Sequence, residues 1–340
     1  MLSGADRQNH GTGGIMIILV RCAAIMAAAI ALIQYPVAHA DDYPSRQVTM
    51  IVPWAPAGAV DTTARIIAPK LAERLGKPVI VENRGGAGST LGTAIAVKAT
   101  PDGYTLGMPG SGSMAVGYAM YKKLPYDPIK DFAPMALVGR VPFVLIANKD
   151  LAIKTVPDLI AYAKANKIFY ASGGPGSPHH IYAEMFKGMT GIEMTHVPYK
   201  GSADAIKDVV AGHVQVMFSD LVPSLPLVAS GTVRALGVTL LTRWPTAPDI
   251  PPLNEAGVPG FDASGWFMIS GPAGTPKPIV ERLHADLKAI MSMDDVQQAF
   301  NRVGVVPVVS PPLAELPKFI ATEQERWGKV VQQAGLAGTL

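Results

Sequence analysis

The stretch "VTMIVPWAPAGAVDTTARIIAPKLAERLG" (residues 48–76) decides the fold. Its opening "VTMIVP" is an unbroken apolar run of strand length. Its far end places Val60, Ala64, Ile67, Leu71 and Leu75 at helical spacing and stops at Gly76, a C-terminal cap. Between them lies "PWAPAG" (53–58), so the strand passes into the helix through a turn nearly free of bulky side chains.

The same alternation continues along the chain. "PVIVEN" (78–83) reads as a strand, "STLGTAIAVKA" from Ser89 as a helix and "YTLGMP" from Tyr104 as a strand. A second set follows: a helix from Asp158 behind Thr155 and Pro157, strand "IFYAS", a helix from His179, strand "MTHVPY", a helix from Ser202, then strands "VQVMFS" and "VRALGVT". Strands alternating with helices predict an α/β fold of mostly parallel sheets flanked by helices. About ten strands exceed one core for roughly 300 residues, so two sheets are expected. The long apolar stretches "VPFVLIANKD" (141–150) and "GWFMISGPAGTP" (265–276) would connect them. A helix opened by Thr275 and Pro276 then returns to the first domain. The expected division is a leader over 1–40, a first domain of 41–141 plus 267–340, and an inserted, hinged second domain of 142–266.

The leader is read from "CAAIMAAAIALI" (22–33), too short to span a bilayer, and from "VAHA" with Ala38 and Ala40 in a cleavage pattern. Export with cleavage after Ala40 is expected, whether translation starts at Met1 or Met16. Cys22, the sole cysteine, falls inside the leader behind Arg21, which disfavours lipid attachment. The exported chain therefore has no thiol, which excludes disulfides, thiolate metal sites and cysteine nucleophiles. The formal net charge of +3 becomes +2 without Asp6, Arg7 and Arg21, and no Lys/Arg-rich run points to nucleic acid.

In open α/β sheets ligands sit beyond the carboxyl ends of strands, where loops enter helix N-termini. Four such loops are small and hydroxyl-rich: 53–58, "GGAGST" (85–90), "GSGS" (110–113) and "SGGPGS" (172–177). Their shared property is accessible backbone N–H, favoured toward anions by the helix dipole. Enclosing a carboxylate costs several kcal/mol of hydration, and each hydrogen bond to a charged group returns about 1.5–3 kcal/mol, so several donors must converge. Trp54 is either a plug under the first loop or a wall against ligand, and its place after the last buried strand residue favours the wall. Asp61 serves the first turn of its helix and could accept a hydrogen bond from a ligand hydroxyl or amine.

Other constellations are weaker. "GAGSTLG" (86–92) has one residue too many for a dinucleotide fingerprint, and no P-loop is present. Ser113 and Ser177 could act as hydrolase nucleophiles, but no histidine can be assigned to either as a base. His180 and Glu184, one turn apart with His179 beside them, could hold a metal, though a surface or capping pair is the simpler reading. No cofactor, metal or catalytic residue is expected.

At these loops the sequence resembles the Bug family, the solute-binding receptors of tripartite tricarboxylate transporters. The resemblance is carried by "VPWAPAGAVDTTAR", "VENRGGAGST", "PDGYTLGM", "YASGGPGSPHH", "HVPYKGSADAIKDVVAGHV" and "EAGVPGFDASGWFMISGPAGTP", in the family's order. It implies a two-domain, type II-like periplasmic solute-binding protein, a monomer that closes like a flytrap on a small carboxylated solute and presents its closed form to transporter subunits. A membrane sensor kinase as the reader stays open. It also implies first-domain contacts from the Trp54 to Gly58 turn, from Ala87, Gly88 and Ser89, and from Ser111, Gly112 and Ser113. Second-domain contacts would be Ser172, Gly176, Ser177, Tyr199 and Gly201, with Asp220 on the rim. The family often has Gly-Gly where this chain has Ala57–Gly58, and a methyl at Ala57 restricts positive φ. The solute would be an aromatic or aliphatic mono- or dicarboxylate.

Overall fold

The computed structural model describes residues 43–339 except Ala55, Ala57 and Lys200. The expected leader, its cleavage point, Cys22 and both candidate starts lie outside the described residues, as does the methyl of Ala57. Strand β1 (Val48–Val52) buries Val48, Met50 and Val52. Helix α1 (Ala59–Leu75) buries the predicted stripe of Val60, Ala64, Ile67, Leu71 and Leu75 and ends on Gly76 at φ 67°. That stripe packs over β1 and β2 (Val79–Asn83), and each fully buried Ile or Leu contributes about 1.5–3 kcal/mol. Helix α2 (Thr90–Val97) and β3 (Thr105–Gly107) follow. A π-turn over Gly112–Val116 then runs into the short α3 (Gly117–Met120).

Strands β4 (Phe132–Val141) and β5 (Phe143–Asn148) are separated only by Pro142. Proline has no N–H, and the ladder changes sheets there. Val141 pairs with Gly265 in the first sheet, whereas Phe143 pairs with Asp220 in the second. The second set comprises α4 (Val156–Ala165), β6 (Phe169–Ser172), α5 (Pro178–Thr190), β7 (Thr195–Pro198), α6 (Ser202–Ala211), β8 (Val216–Asp220), α7 (Leu221–Ala229) and β9 (Val233–Val238). The chain returns through β10 (Gly265–Pro272), α8 (Lys277–Met291), α9 (Asp294–Arg302), β11 (Val306–Pro307) and α10 (Leu316–Gln333).

The first sheet has the order β11-β4-β10-β3-β1-β2 and the second β7-β6-β8-β5-β9. Within them β1 lies parallel to β2 and β3, and β6 parallel to β7 and β8. Both sheets are nevertheless mixed. β10 runs antiparallel between β3 and β4, and β5 antiparallel between β8 and β9. These are the two strands that arrive from the other sheet without a crossover helix, and a parallel neighbour needs such a crossover. Helix α8 packs on β4 and α1, as the expected return to the first domain requires. Helix α10 lies on β4, α3 and the π-turn and also reaches α5 of the second lobe. Among the described residues no helix is long and apolar enough to cross a membrane.

Candidate functional site

A cavity of about 510 Å³ opens between the two sheets, bordered by loops of both. The first lobe contributes Trp54, the start of α1 at Ala59 and Val60, Ala87 and Gly88, and the segment from Gly110 through Tyr121. The second contributes Gly173 to Pro178, Tyr182 and Asp220. Its floor is made of the connecting strands, Val141, Phe143 and Gly265 to Phe267. Trp54 stands half-buried against Phe267, ring centroids 6.2 Å apart, as a wall of the cavity.

Close backbone approach builds the first-lobe side. Helix α2 begins directly against the turn after β1, where a Cβ at Gly92 would lie 2.7 Å from Pro53 Cα. The loop before it holds Ala87 at φ 46°, Gly88 at 59° and Ser89 at 78°. Two non-glycine residues in the left-handed region carry strain. The Tyr121 hydroxyl donates to the Ala87 carbonyl at 3.0 Å and fixes that loop from the same lobe. In the next segment Gly117 N–H reaches back to the Gly112 carbonyl, the widened turn that often marks a functional position. No side chain caps α1, α2 or α5; at α2 the Ala87 carbonyl takes the Thr90 N–H, and at α5, which opens on Pro178, the Ser177 carbonyl takes the His180 N–H.

On the second lobe, Gly176 takes φ 73° and donates its N–H to His180 Nδ1 at 3.0 Å. The Ser177 hydroxyl donates to the Gly174 carbonyl at 2.7 Å. Asp220 Oδ2 lies 3.1 Å from His179 Nε2. Burial pushes the Asp220 carboxyl up, but the His179 hydrogen bond and charge and the Ser202 hydroxyl outweigh it and hold it below the usual carboxylate value. Burial pushes the Tyr182 phenol up, so its hydroxyl stays protonated in the cavity wall.

Of the residues expected from sequence, Trp54, Ala87, Gly88, Ser111, Gly112, Gly176, Ser177 and Asp220 share this cavity. The other described ones do not line it. Asp61 is buried and taken by Arg65, whose Nε donates at 3.0 Å, and by Asn83, at 2.9 Å. Gly58 is the exposed cap of α1 and Gly201 the cap of α6. Ser89 is buried beneath its loop, and the buried Ser113 hydroxyl donates to the Gly110 carbonyl at 3.3 Å. Ser172 faces His196, Oγ to Nε2 2.6 Å, outside the cavity lining. The Tyr199 hydroxyl donates to Asp208 at 2.6 Å. Glu184, considered above as a metal ligand, pairs with Lys187 at 2.9 Å and accepts from Tyr170 at 2.5 Å, while His180 Nδ1 is occupied by Gly176.

Tyr121, Phe143, Tyr182 and Trp266 line the cavity without having been singled out from sequence. Their signal was present only as apolar periodicity, which does not tell a cavity wall from core.

Two lobes, each a mixed sheet flanked by helices, with a lined cleft between them define the periplasmic solute-binding class. The model of the tripartite tricarboxylate transporter family receptor matches residues 63–336, and the chain belongs to that family, the Bug-type receptors. It is 37% identical over 299 residues to Protein BugT of Bordetella pertussis, covering 87% of this chain and 91% of that one. The R. palustris protein Rpa4515, solved with adipate, superposes with a TM-score of 0.77 at 36% identity, over 87% of this chain and 99% of its own. MatC from Rhodopseudomonas palustris with bound malate gives 0.71 at 33% identity, over 85% and 100%.

Proposed function

We propose that this chain is an exported periplasmic receptor that holds a small carboxylated solute between its lobes for delivery to the membrane subunits of a tripartite transporter. The observation that carries the proposal is the make-up of the cleft. Among the described lining residues there is no lysine or arginine, yet the N-terminus of α1 and the strained 87–89 loop border it. Such a site favours an anion held by backbone N–H and oriented dipoles. Adipate and malate in the two relatives are carboxylates of the expected class. Binding without catalysis agrees with the hydroxyls of Ser113 and Ser177 being directed to backbone carbonyls. In this reading the lobes hinge near residues 141 and 267, on either side of an inserted second domain.

A thermal-shift screen of the chain from Asp41, with carboxylates and their matched amides, tests the proposal. A ligand at about a hundred times its Kd adds about 2.7 kcal/mol and raises the melting temperature. Shifts from acids but not amides are expected. Shifts confined to amides or to metal salts would refute a carboxylate receptor.

A further inference from the structure

The cleft is electrostatically lopsided. On the first-lobe side Asp61, the acidic residue of α1's first turn, is turned into an ion pair with Arg65, leaving the backbone of 87–88 and 111–112 as the polar surface. On the second-lobe side the cavity is lined by Asp220, whose side chain is 37% exposed. It is the sole charged side chain among the described lining residues. Asp220 also occupies the cap position of α7 and pairs with His179 in the first turn of α5, so an anion already sits at the positive ends of both helices. Between the two ends the walls are apolar, formed by Trp54, Met120, Phe143 and Phe267.

A carboxylate uses only part of its acceptor capacity on one imidazole and one hydroxyl, here those of His179 and Ser202. Facing solvent across a cavity with no lysine or arginine among its described lining residues, it repels a second carboxylate and accepts from a hydroxyl or ammonium. Resting on the carboxylate-receptor proposal above, we propose that the solute carries its carboxylate toward the first lobe and a hydrogen-bond donor at its far end, and that Asp220 selects for that donor. The solute class is then a hydroxy- or amino-terminated carboxylic acid with an apolar body, in preference to a symmetric dicarboxylate.

The test is isothermal titration of the wild-type chain and Asp220→Asn with two matched series. One is benzoate, 4-hydroxybenzoate and terephthalate; the other is hexanoate, 6-hydroxyhexanoate, 6-aminohexanoate and adipate. In at least one series the donor-bearing acid binds wild type about tenfold or more tighter than the plain acid and the diacid, the ratio expected for one hydrogen bond to a charged group. Asn is an equally good helix cap, so Asp220→Asn keeps α7, and a circular dichroism melt checks that it folds. In that variant the preference for the donor over the diacid shrinks by about tenfold or more. A diacid that binds wild type tightest, or a preference that Asp220→Asn leaves in place, overturns the selection by Asp220 while the carboxylate receptor stands. Failure of every acid to bind overturns both.

Discussion

Glu323 on α10 shows how one side chain can hold the floor of the cleft. It is buried, and its Oε2 accepts from the indole N–H of Trp266 at 2.8 Å and of Trp327 at 2.9 Å, while Oε1 accepts from Arg326 at 3.1 Å. Trp266 belongs to β10 and lines the cavity, and Trp327 packs 5.5 Å from Tyr182 of α5. Removing the carboxylate orphans two buried indole donors and leaves Arg326 to Asp262, 3.9 Å away. Glu323→Ala should lower stability by about 3–5 kcal/mol, the usual loss when one member of a buried charge pair is deleted. Urea unfolding followed by tryptophan fluorescence measures it. Glu323→Gln keeps an acceptor for the indoles and should cost less, and equal losses would mean that the arginine, not the indoles, is what Glu323 serves.

At the scale of elements, β6, β7 and α5 meet in a ladder of rings. Tyr170 stacks on His196 at 5.0 Å, and His196 on His180 at 4.0 Å with 7° between the planes. Burial, and then the charge of His180, push His196 down to about 4; burial pushes His180 down as well. Glu184 and Lys187 on α5 act on the pair with opposite signs. Both rings are therefore neutral in the folded chain where they would be charged in the unfolded one. Between about 6.5, the ordinary histidine value, and about 4 for His196, the unfolded state binds more protons, so stability rises with pH. Melting temperature should be flat in this respect above the upper limit and fall steadily as pH drops below it. His180→Gln with His196→Gln should flatten the fall, and an unaltered profile would place the acid sensitivity elsewhere. Protonating His180 in the folded chain, below the ordinary histidine value because burial lowers it, would also remove the acceptor for Gly176 N–H.

The same elements show what the sequence could reveal. The start of α4 behind Thr155 was legible because the pair that makes it is three residues apart: Thr155 Oγ1 accepts from Asp158 N–H and Asp158 accepts from Thr155 N–H. The turn after β1 was legible for the same local reason. Strand β4 was not singled out, and α7 was hidden because Pro226 lies inside it and Pro223 in its first turn. The antiparallel setting of β5 and β10 has no local signature, since direction is fixed by which sheet the chain is leaving. Ser172 and Tyr199 fell in plausible loops, yet their side chains bond to His196 and Asp208, partners brought in by β7 and α6.

For the molecule as a whole, the connections determine what can move. The sheets are joined at Pro142, through residues 239–264, and by α10, which touches both lobes. Val141, Phe143 and Gly265 to Phe267 are at once these connections and the cavity floor, so rotating the lobes changes the width of the cleft more than its base. Phe143 illustrates the point: its N–H donates to Thr239 Oγ1 at 2.9 Å, and its ring meets Tyr182 edge-on at 4.9 Å, contacts made within the second lobe and its connector. A solute that touches the loops of both lobes gains contacts only when they approach, which is the differential affinity that ligand-driven closure requires. Small-angle scattering of the chain from Asp41 should therefore show a smaller radius of gyration when a ligand found in the screen is saturating. An unchanged radius, with binding confirmed by calorimetry in the same sample, would mean that the cleft is preformed and that the strained 87–89 loop and Asp220 set affinity without domain motion.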